Sequence, residues 1–71
     1  MNNETIQNKD ALESLGFSVD IDHDPEWDTH IVDVHFHGNT WAKIERHRLE
    51  NAMSEALNII KYGVYGKNII N

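Results

Sequence analysis

The chain has 71 residues, with twelve acidic and six basic side chains, for a formal charge of −6 at pH 7. A net negative charge repels phosphate backbones at long range, which argues against nucleic acid as a partner. There is no cysteine, which excludes disulfides and thiolate zinc sites. We expect one small domain over 1–71, and because its core must be small, dimerisation is a natural source of extra stability.

The N-terminal sequence, MNNETIQNKDALE, has neither the basic region nor the apolar run of a signal peptide. No segment has the length and apolar character of a membrane span, so we expect a cytoplasmic protein without membrane contact. Asn and Ile are abundant, as AT-rich coding would produce. This composition suggests a phage or low-GC bacterial source, and the compartment would then be the bacterial host's cytoplasm.

The first predicted element is a short helix over 9–15, where Asp10 and Glu13 have the spacing of a capping box. After it, apolar and polar residues alternate with the period of strands that bury one face. This alternation predicts strands over 17–22 and 29–37.

The third predicted strand, over 41–45, depends on the length of the loop before it. A three-residue loop over 38–40 turns Ala42 and Ile44 toward the apolar face of the sheet. A two-residue loop would instead turn Lys43 into that layer, so we expect the longer loop.

The last helix is predicted over 46–62, because apolar residues recur there at intervals of three and four. A competing interpretation begins this helix at Trp41, with Thr40 as its N-cap. It ranks second because it would place Glu45 within the apolar stripe. An apolar tail over 64–70 follows, and we expect it to pack on the core or on another subunit.

These elements predict an α+β domain with two layers and the order α-β-β-β-α. A three-stranded antiparallel meander would have both helices on one face. The residues expected on the covered face are Phe17, Val19, Ile21, Val32, Val34, Phe36, Ala42 and Ile44. Those expected on the solvated face are Asp20, Asp22, Asp33, His35, His37, Trp41, Lys43 and Glu45.

Three features of the sequence resemble one family. The run AMSEAL over 52–57 is similar to the small-residue pattern of that family's second helix, His23 lies between the first two strands, and Arg46, His47 and Arg48 begin the last helix. With the element order, they resemble the double-stranded-RNA-binding domain over nearly the whole chain. The resemblance implies RNA binding through these four residues. The sequence departs from the family in lacking its lysine pair and in surrounding His23 with acidic residues, which opposes phosphate contacts.

Histidines among carboxylates also suggest a metal site. Asp33, His35 and His37 point the same way from the second strand, but residues two apart on a strand lie almost 7 Å apart, so a ligand from a neighbouring strand is needed. The predicted neighbour of His35 is Lys43, which is not a ligand. We therefore predict no metal site and no cofactor.

The sequence gives little support for a calcium site or for a catalytic site. Asp20, Asp22 and Asp24 have the spacing that opens a calcium loop, but the turn glycine is absent and Ile31 replaces the bidentate glutamate. His30 lies on the apolar side of the second strand with no nucleophile beside it, which is typical of a structural histidine. We predict that the protein is not an enzyme.

The most informative feature is the acidic stretch from Asp20 to Asp33, which contains no Lys or Arg but includes an aromatic residue, Trp27. Carboxylates around an exposed indole favour a basic protein groove as partner, and such a surface can imitate a phosphate track. We predict a small acidic inhibitor or modulator of a nucleic-acid-handling protein, comparable to phage-encoded and anti-CRISPR inhibitors. The expected contact residues are Asp20, Asp22, Asp24, Glu26, Trp27, Asp28, Asp33 and Trp41.

Three alternatives stay open. The first is a double-stranded-RNA-binding-like module that uses His23, Arg46, His47 and Arg48. The second is an antitoxin that neutralises a basic nuclease through the same acidic residues. The third is a homodimer or assembly component held together by the tail. Each tryptophan could also cover an edge of the core instead of anchoring a partner.

Overall fold

A computed structural model describes residues 2–62 of the chain. Its elements are α1 (Asn3–Ser14), β1 (Ser18–Asp24), β2 (Thr29–Phe36), β3 (Asn39–Arg46) and α2 (Leu49–Tyr62). The strands form an open antiparallel sheet in the order β1-β2-β3. The α+β class and the order α-β-β-β-α are confirmed.

Helix α1 begins about two turns earlier than predicted. Its N-cap is Asn2, whose Oδ1 accepts a hydrogen bond from the backbone N–H of Thr5 at 2.8 Å. The proposed capping box was wrong, since Asp10 and Glu13 both lie inside the helix. The sequence pattern missed the first turns because the side chain that they bury is the polar one of Thr5, which is only 2% exposed.

The β2–β3 turn has two residues, His37 and Gly38, and not the expected three. Both have positive φ angles, 51° and 81°, as required in the two-residue turns whose twist matches that of a hairpin. Phe36 pairs directly with Asn39 across this turn. His37 therefore lies in the turn and not on the strand face that had been predicted for it.

A bulge corrects the register that this short turn would otherwise impose. His35 pairs with Thr40, but Val34 pairs with Ala42, which leaves Trp41 as an extra residue in β3. One extra residue reverses the alternation of side chains beyond it. Ala42 consequently faces the core as predicted, although both the loop length and the exact cross-strand partners were wrong.

The boundary between β3 and α2 also differs from the prediction. The strand continues to Arg46, and the helix begins at Leu49 instead of at residue 46. Arg48 contributes its carbonyl oxygen to the first turn of α2 by accepting hydrogen bonds from the backbone N–H groups of Asn51 and Ala52. The competing interpretation, a helix from Trp41, was wrong because Trp41 belongs to β3.

Both helices cover the same face of the sheet, and the core lies between them and the strands. Its buried side chains are Leu12, Val32, Val34, Ala42, Ile44, Ala52, Met53 and Ala56, with Phe17, Val19 and Ile21 packed at its margin. This agrees with the predicted covered face. The N-termini of the two helices lie side by side, and Asn2 Nδ2 donates a hydrogen bond to Glu50 Oε2 at 3.0 Å between them. The opposite face of the sheet has no helix over it among the described residues.

The predicted apolar tail over 64–70 lies outside the described residues. Within residues 2–62, no helix combines the length and apolar character needed to cross a membrane.

Candidate functional site

The uncovered face of the sheet brings together carboxylates from adjacent strands. Asp20 on β1 is the direct cross-strand partner of Asp33 on β2, and Asp33 is in turn opposite Lys43 on β3. Asp20 also lies 3.2 Å from the Nε2 atom of His35. Like charges placed directly opposite destabilise a sheet, so this pair has an energetic cost that the fold tolerates.

In the next row of side chains on the uncovered face, one apolar residue lies between two acidic residues. Ile31, which is half-buried, lies between Asp22 on β1 and Glu45 on β3. Glu45 is held in place by a hydrogen bond from the buried hydroxyl of Thr29. Ile31 was not predicted as a residue of this face. Alternation could have revealed it, because Ile31 is two residues from Asp33 on β2 and their side chains therefore share one face.

The β1–β2 turn extends this acidic surface beyond the end of the sheet. Asp24 shapes the turn, since its Oδ1 accepts a hydrogen bond from the backbone N–H of Glu26 at 3.0 Å. Trp27 follows and is 68% exposed. Asp28 closes the turn with a positive φ of 52°. We call the combined surface the acidic face: Asp20, Asp22, Asp24, Asp33 and Glu45 on the sheet, with Glu26, Trp27 and Asp28 in the turn.

Three histidines hold the base of that turn from the side of the sheet that the helices cover. His23 and His30 are cross-strand partners with ring centroids 4.9 Å apart. His23 Nε2 lies 3.0 Å from Asp28 Oδ1, and His47 Nδ1 lies 3.3 Å from the carbonyl oxygen of Asp28. His30 Nδ1 contacts the carbonyl oxygen of His47 at 3.1 Å. These contacts join β1, β2 and the β3–α2 connection.

The histidines also change the electrostatics of Asp28. The hydrogen bond from His23 lowers the pKa of Asp28 below its ordinary value of 3.8. The charges of His23, His30 and His47 act in the same direction, while partial desolvation opposes them. A lowered pKa means that the folded structure favours the ionised carboxylate.

The residues expected to bind RNA lie at this same end of the sheet, but acids accompany them. Arg46 is the cross-strand partner of His30, and its guanidinium contacts both carboxylate oxygens of Glu55, at 2.6 and 3.0 Å. Arg48 pairs with Glu50. The contact between His23 and Asp28 is a third pair of this kind. Three of the four residues expected to bind RNA therefore have an acidic partner.

Trp41 is separated from the predicted contact residues of the β1–β2 turn, but it lies only two residues along β3 from Lys43, the cross-strand partner of Asp33. Its ring is edge-on to Phe36 and Phe17, with centroid distances of 6.1 and 5.9 Å, and Phe17 and Phe36 are 5.0 Å apart. The prediction that Trp41 projects from the solvated face was wrong, because the bulge directs it toward these aromatic rings. They lie where β1 begins and β2 ends, at the opposite end of the strands from Trp27, and we call this cluster the aromatic end.

The row of metal ligands suggested by the sequence is not formed. His35 accepts or donates a hydrogen bond with the Thr40 hydroxyl at 3.0 Å, whereas His37 is in the turn and packs against Phe36. Lys43 is opposite Asp33 and not opposite His35 as predicted. Within residues 2–62, no three His, Asp or Glu side chains are arranged to hold a metal ion.

Comparison with models of protein families, with curated proteins and with solved structures finds no match to this chain. The features that bear on function are the acidic face and the histidines beneath its turn.

Proposed function

We propose that this protein is a small, non-enzymatic binding protein that inhibits or modulates a nucleic-acid-handling protein by placing its acidic face in that protein's basic groove. The observation that carries the proposal is the direct pairing of Asp20 with Asp33 on a face that no described helix covers. A partner that supplies Lys or Arg side chains would relieve the repulsion between these carboxylates.

The acidic face also has the composition of a binding surface. Ile31 supplies an apolar centre between Asp22 and Glu45, and Trp27 supplies an exposed indole at one end. Aromatic residues provide much of the binding energy in protein interfaces, while surrounding charges increase the association rate and select the partner. Carboxylates on alternate residues of β1 are about 6.7 Å apart along the strand, which suits an imitation of a phosphate track.

The test is displacement of nucleic acid from basic proteins. A panel of purified proteins, comprising a nuclease, a helicase and a single-strand-binding protein, is loaded with fluorescently labelled nucleic acid, and anisotropy reports its release. We expect release from at least one of them. The double variant Asp20→Lys with Asp22→Lys should slow association at least tenfold and reduce its dependence on salt, because the steering charges are reversed.

The matched control is Glu4→Lys with Asp10→Lys, two exposed positions on α1. It changes the net charge by the same amount but leaves the acidic face intact, so it should associate much faster than the first variant. Equal slowing by both variants would contradict a specific role for the face. Failure to displace nucleic acid from any member of the panel would contradict the proposed function.

A second candidate, a double-stranded-RNA-binding-like module, is favoured by one observation. His23, Arg46 and His47 come together with Arg48 at one end of the sheet. Phosphates would have to compete there with Glu50 and Glu55 for the two arginines, so we rank this candidate lower.

The second candidate is tested by fluorescence anisotropy with labelled duplex RNA and duplex DNA at low salt. Phosphate contacts weaken steeply as salt is added. Binding that follows this pattern and is lost in Arg46→Ala and Arg48→Ala would establish the RNA-binding module. Absence of binding at low salt would exclude it and leave the acidic face as the active surface.

A further inference from the structure

Strand β1 forms one edge of the sheet, and no other described strand lies on its outer side. The outward backbone N–H and C=O groups of an edge strand are a template for pairing with another strand. β1 is seven residues long and pairs with β2 without a bulge, from Ser18 opposite His35 to Asp24 opposite Thr29. It contains no proline. β1 is therefore a regular edge along which a further strand can be added.

The edge formed by β3 is less suited to strand addition. β3 has an extra residue at Trp41, and it exposes Lys43. Bulges and lysine side chains are two of the features by which proteins prevent pairing at sheet edges. β1 has neither of them, so it is the edge on which we expect a new strand.

The covered face of β1 favours apolar side chains on an added strand. Val19 and Ile21 are half-buried there, whereas their cross-strand partners Val34 and Val32 are fully buried. Apolar surface of β1 thus stays accessible at the margin of the core. An added strand would bury it if its own side chains on that face were apolar.

The uncovered face of β1 favours basic side chains on an added strand. Asp20 and Asp22 are exposed on this face. Asp20 contacts His35, but the lysine of this face, Lys43, is two strands away on β3. Side chains directly opposite each other on neighbouring strands are about 5 Å apart, where opposite charges stabilise the pair. Lysine or arginine is therefore complementary to this side of β1.

We propose that β1 binds an extended segment of the partner protein as a fourth strand, and that this segment alternates lysine or arginine with apolar residues. Its basic side chains would lie opposite Asp20 and Asp22, and its apolar side chains beside Val19 and Ile21, as the two-residue period of strands requires. Backbone hydrogen bonds provide affinity in this binding mode, and the alternate side chains provide specificity. The inference rests on the function proposed above, because it specifies which segment of the partner reaches the acidic face.

The same carboxylates disfavour a second copy of this chain on β1. Antiparallel pairing of two β1 strands would bring Asp20, Asp22 and Asp24 of each copy against carboxylates of the other. Charges that oppose an acidic strand and attract a basic one make the edge selective.

A synthetic peptide as long as β1, with the sequence Lys-Val-Lys-Ile-Lys-Val-Lys, tests the proposal when it is titrated into the full chain. We expect fluorescence anisotropy to show binding at least tenfold tighter than that of Lys-Lys-Lys-Val-Ile-Val-Lys, which has the same composition without the alternation. N-methylation of the backbone amides keeps every side-chain charge but removes the hydrogen bonds, so it should also weaken binding at least tenfold. Absence of binding, or equal binding of the three peptides, would overturn the proposal.

The double variant Asp20→Asn with Asp22→Asn should weaken peptide binding at least tenfold, because it removes two carboxylates without changing the shape of the side chains. The matched control is Glu4→Gln with Asp10→Asn, which removes the same charge from exposed positions on α1. It should bind the peptide nearly as well as the unmodified protein. Equal weakening by both variants would mean that net charge, and not β1, attracts the peptide, and would contradict the inference.

Amide hydrogen exchange of the full chain locates the contact. We expect the outward amides of β1 to exchange rapidly in the free protein and to be protected by the peptide, with the amides of β3 unchanged. Protection in the free protein would mean that another segment of this chain, or a second copy if protection grows with concentration, already covers the edge. Either result would refute strand addition by a partner.

The displacement assay separates this inference from the proposed function. If the alternating peptide does not bind but the protein still displaces nucleic acid from a basic protein, strand addition is refuted and the proposed function stands. If displacement fails for every member of the panel, the proposed function is refuted, and with it the inference about the partner's segment.

Discussion

Asp28 links the turn of the acidic face to the folded body of the protein. Its carboxylate contacts His23, and its carbonyl oxygen contacts His47, although its backbone has a positive φ that asparagine or glycine would adopt more readily. The contacts of Asp28 thus stabilise a positive φ angle that is intrinsically unfavourable for a residue with a side chain. The position of Trp27, the next residue toward the N-terminus, depends on this balance.

The pKa of Asp28 gives a direct measure of that contact. Because the pKa is lowered in the folded state, the carboxylate contributes stability above its ordinary pKa of 3.8 and loses that contribution as the pH falls through the lower folded value. We expect an NMR titration of the Asp28 carboxyl to give a midpoint below 3.8, and His23→Ala to raise it.

His37→Ala is the matched control for this titration, since His37 lies in the β2–β3 turn at the other end of the sheet. It should leave the midpoint of Asp28 unchanged. An equal effect of the two substitutions would mean that overall charge, and not the contact with His23, sets the pKa.

At the scale of elements, the sequence predicted the type and order of every helix and strand. Each element except α1 has a clear apolar period, and only the second half of α1 was predicted. The sequence did not predict how β2 and β3 are joined. Parity alone cannot distinguish a three-residue loop from a two-residue turn followed by a bulge, since both place Ala42 and Ile44 on the covered face.

The limits of side-chain alternation as a guide also explain which residues of the site were predicted correctly. Asp20, Asp22 and Asp33 follow from alternation, and they were placed correctly on the uncovered face. Trp41 was misplaced because the bulge is a tertiary feature, and the contacts of His30 with His23 and His47 join residues that no sequence spacing connects.

The bulge makes deletion and substitution of Trp41 very different changes. Trp41→Ala keeps the extra residue and removes only the edge-on packing with Phe17 and Phe36, so it should cost about 1–2 kcal/mol of unfolding free energy. Deletion of Trp41 would turn Ala42 and Ile44 toward solvent if the two-residue turn is kept.

Urea denaturation followed by circular dichroism compares the two variants. We expect a cooperative transition for Trp41→Ala and loss of cooperative unfolding for the deletion. A deletion variant that unfolds cooperatively with the stability of Trp41→Ala would contradict the role of the bulge in setting the register.

For the whole molecule, the acidic face, which we propose as a binding surface, reduces the stability of the fold that presents it. The cross-strand pair of Asp20 and Asp33 alone should cost roughly 0.5 kcal/mol, and a net charge far from zero adds diffuse repulsion. Part of this cost is offset by His35, which contacts Asp20, and by Lys43, which faces Asp33. A small core makes such a cost significant for the total stability.

Salt should therefore stabilise this protein. Raising the ionic strength from about 0.01 to 0.15 M shortens the Debye length from about 30 to 8 Å, which screens repulsion among the carboxylates. We expect the melting temperature to rise over this range, and Asp20→Lys to be more stable than the unmodified protein at low salt by about 0.5–1 kcal/mol, with a smaller response to salt. Asp10→Lys changes the net charge equally but lies on α1, so it should retain more of the salt response. If thermal unfolding shows the same response for both variants, total charge and not the pairing of Asp20 with Asp33 would govern the stability of the acidic face.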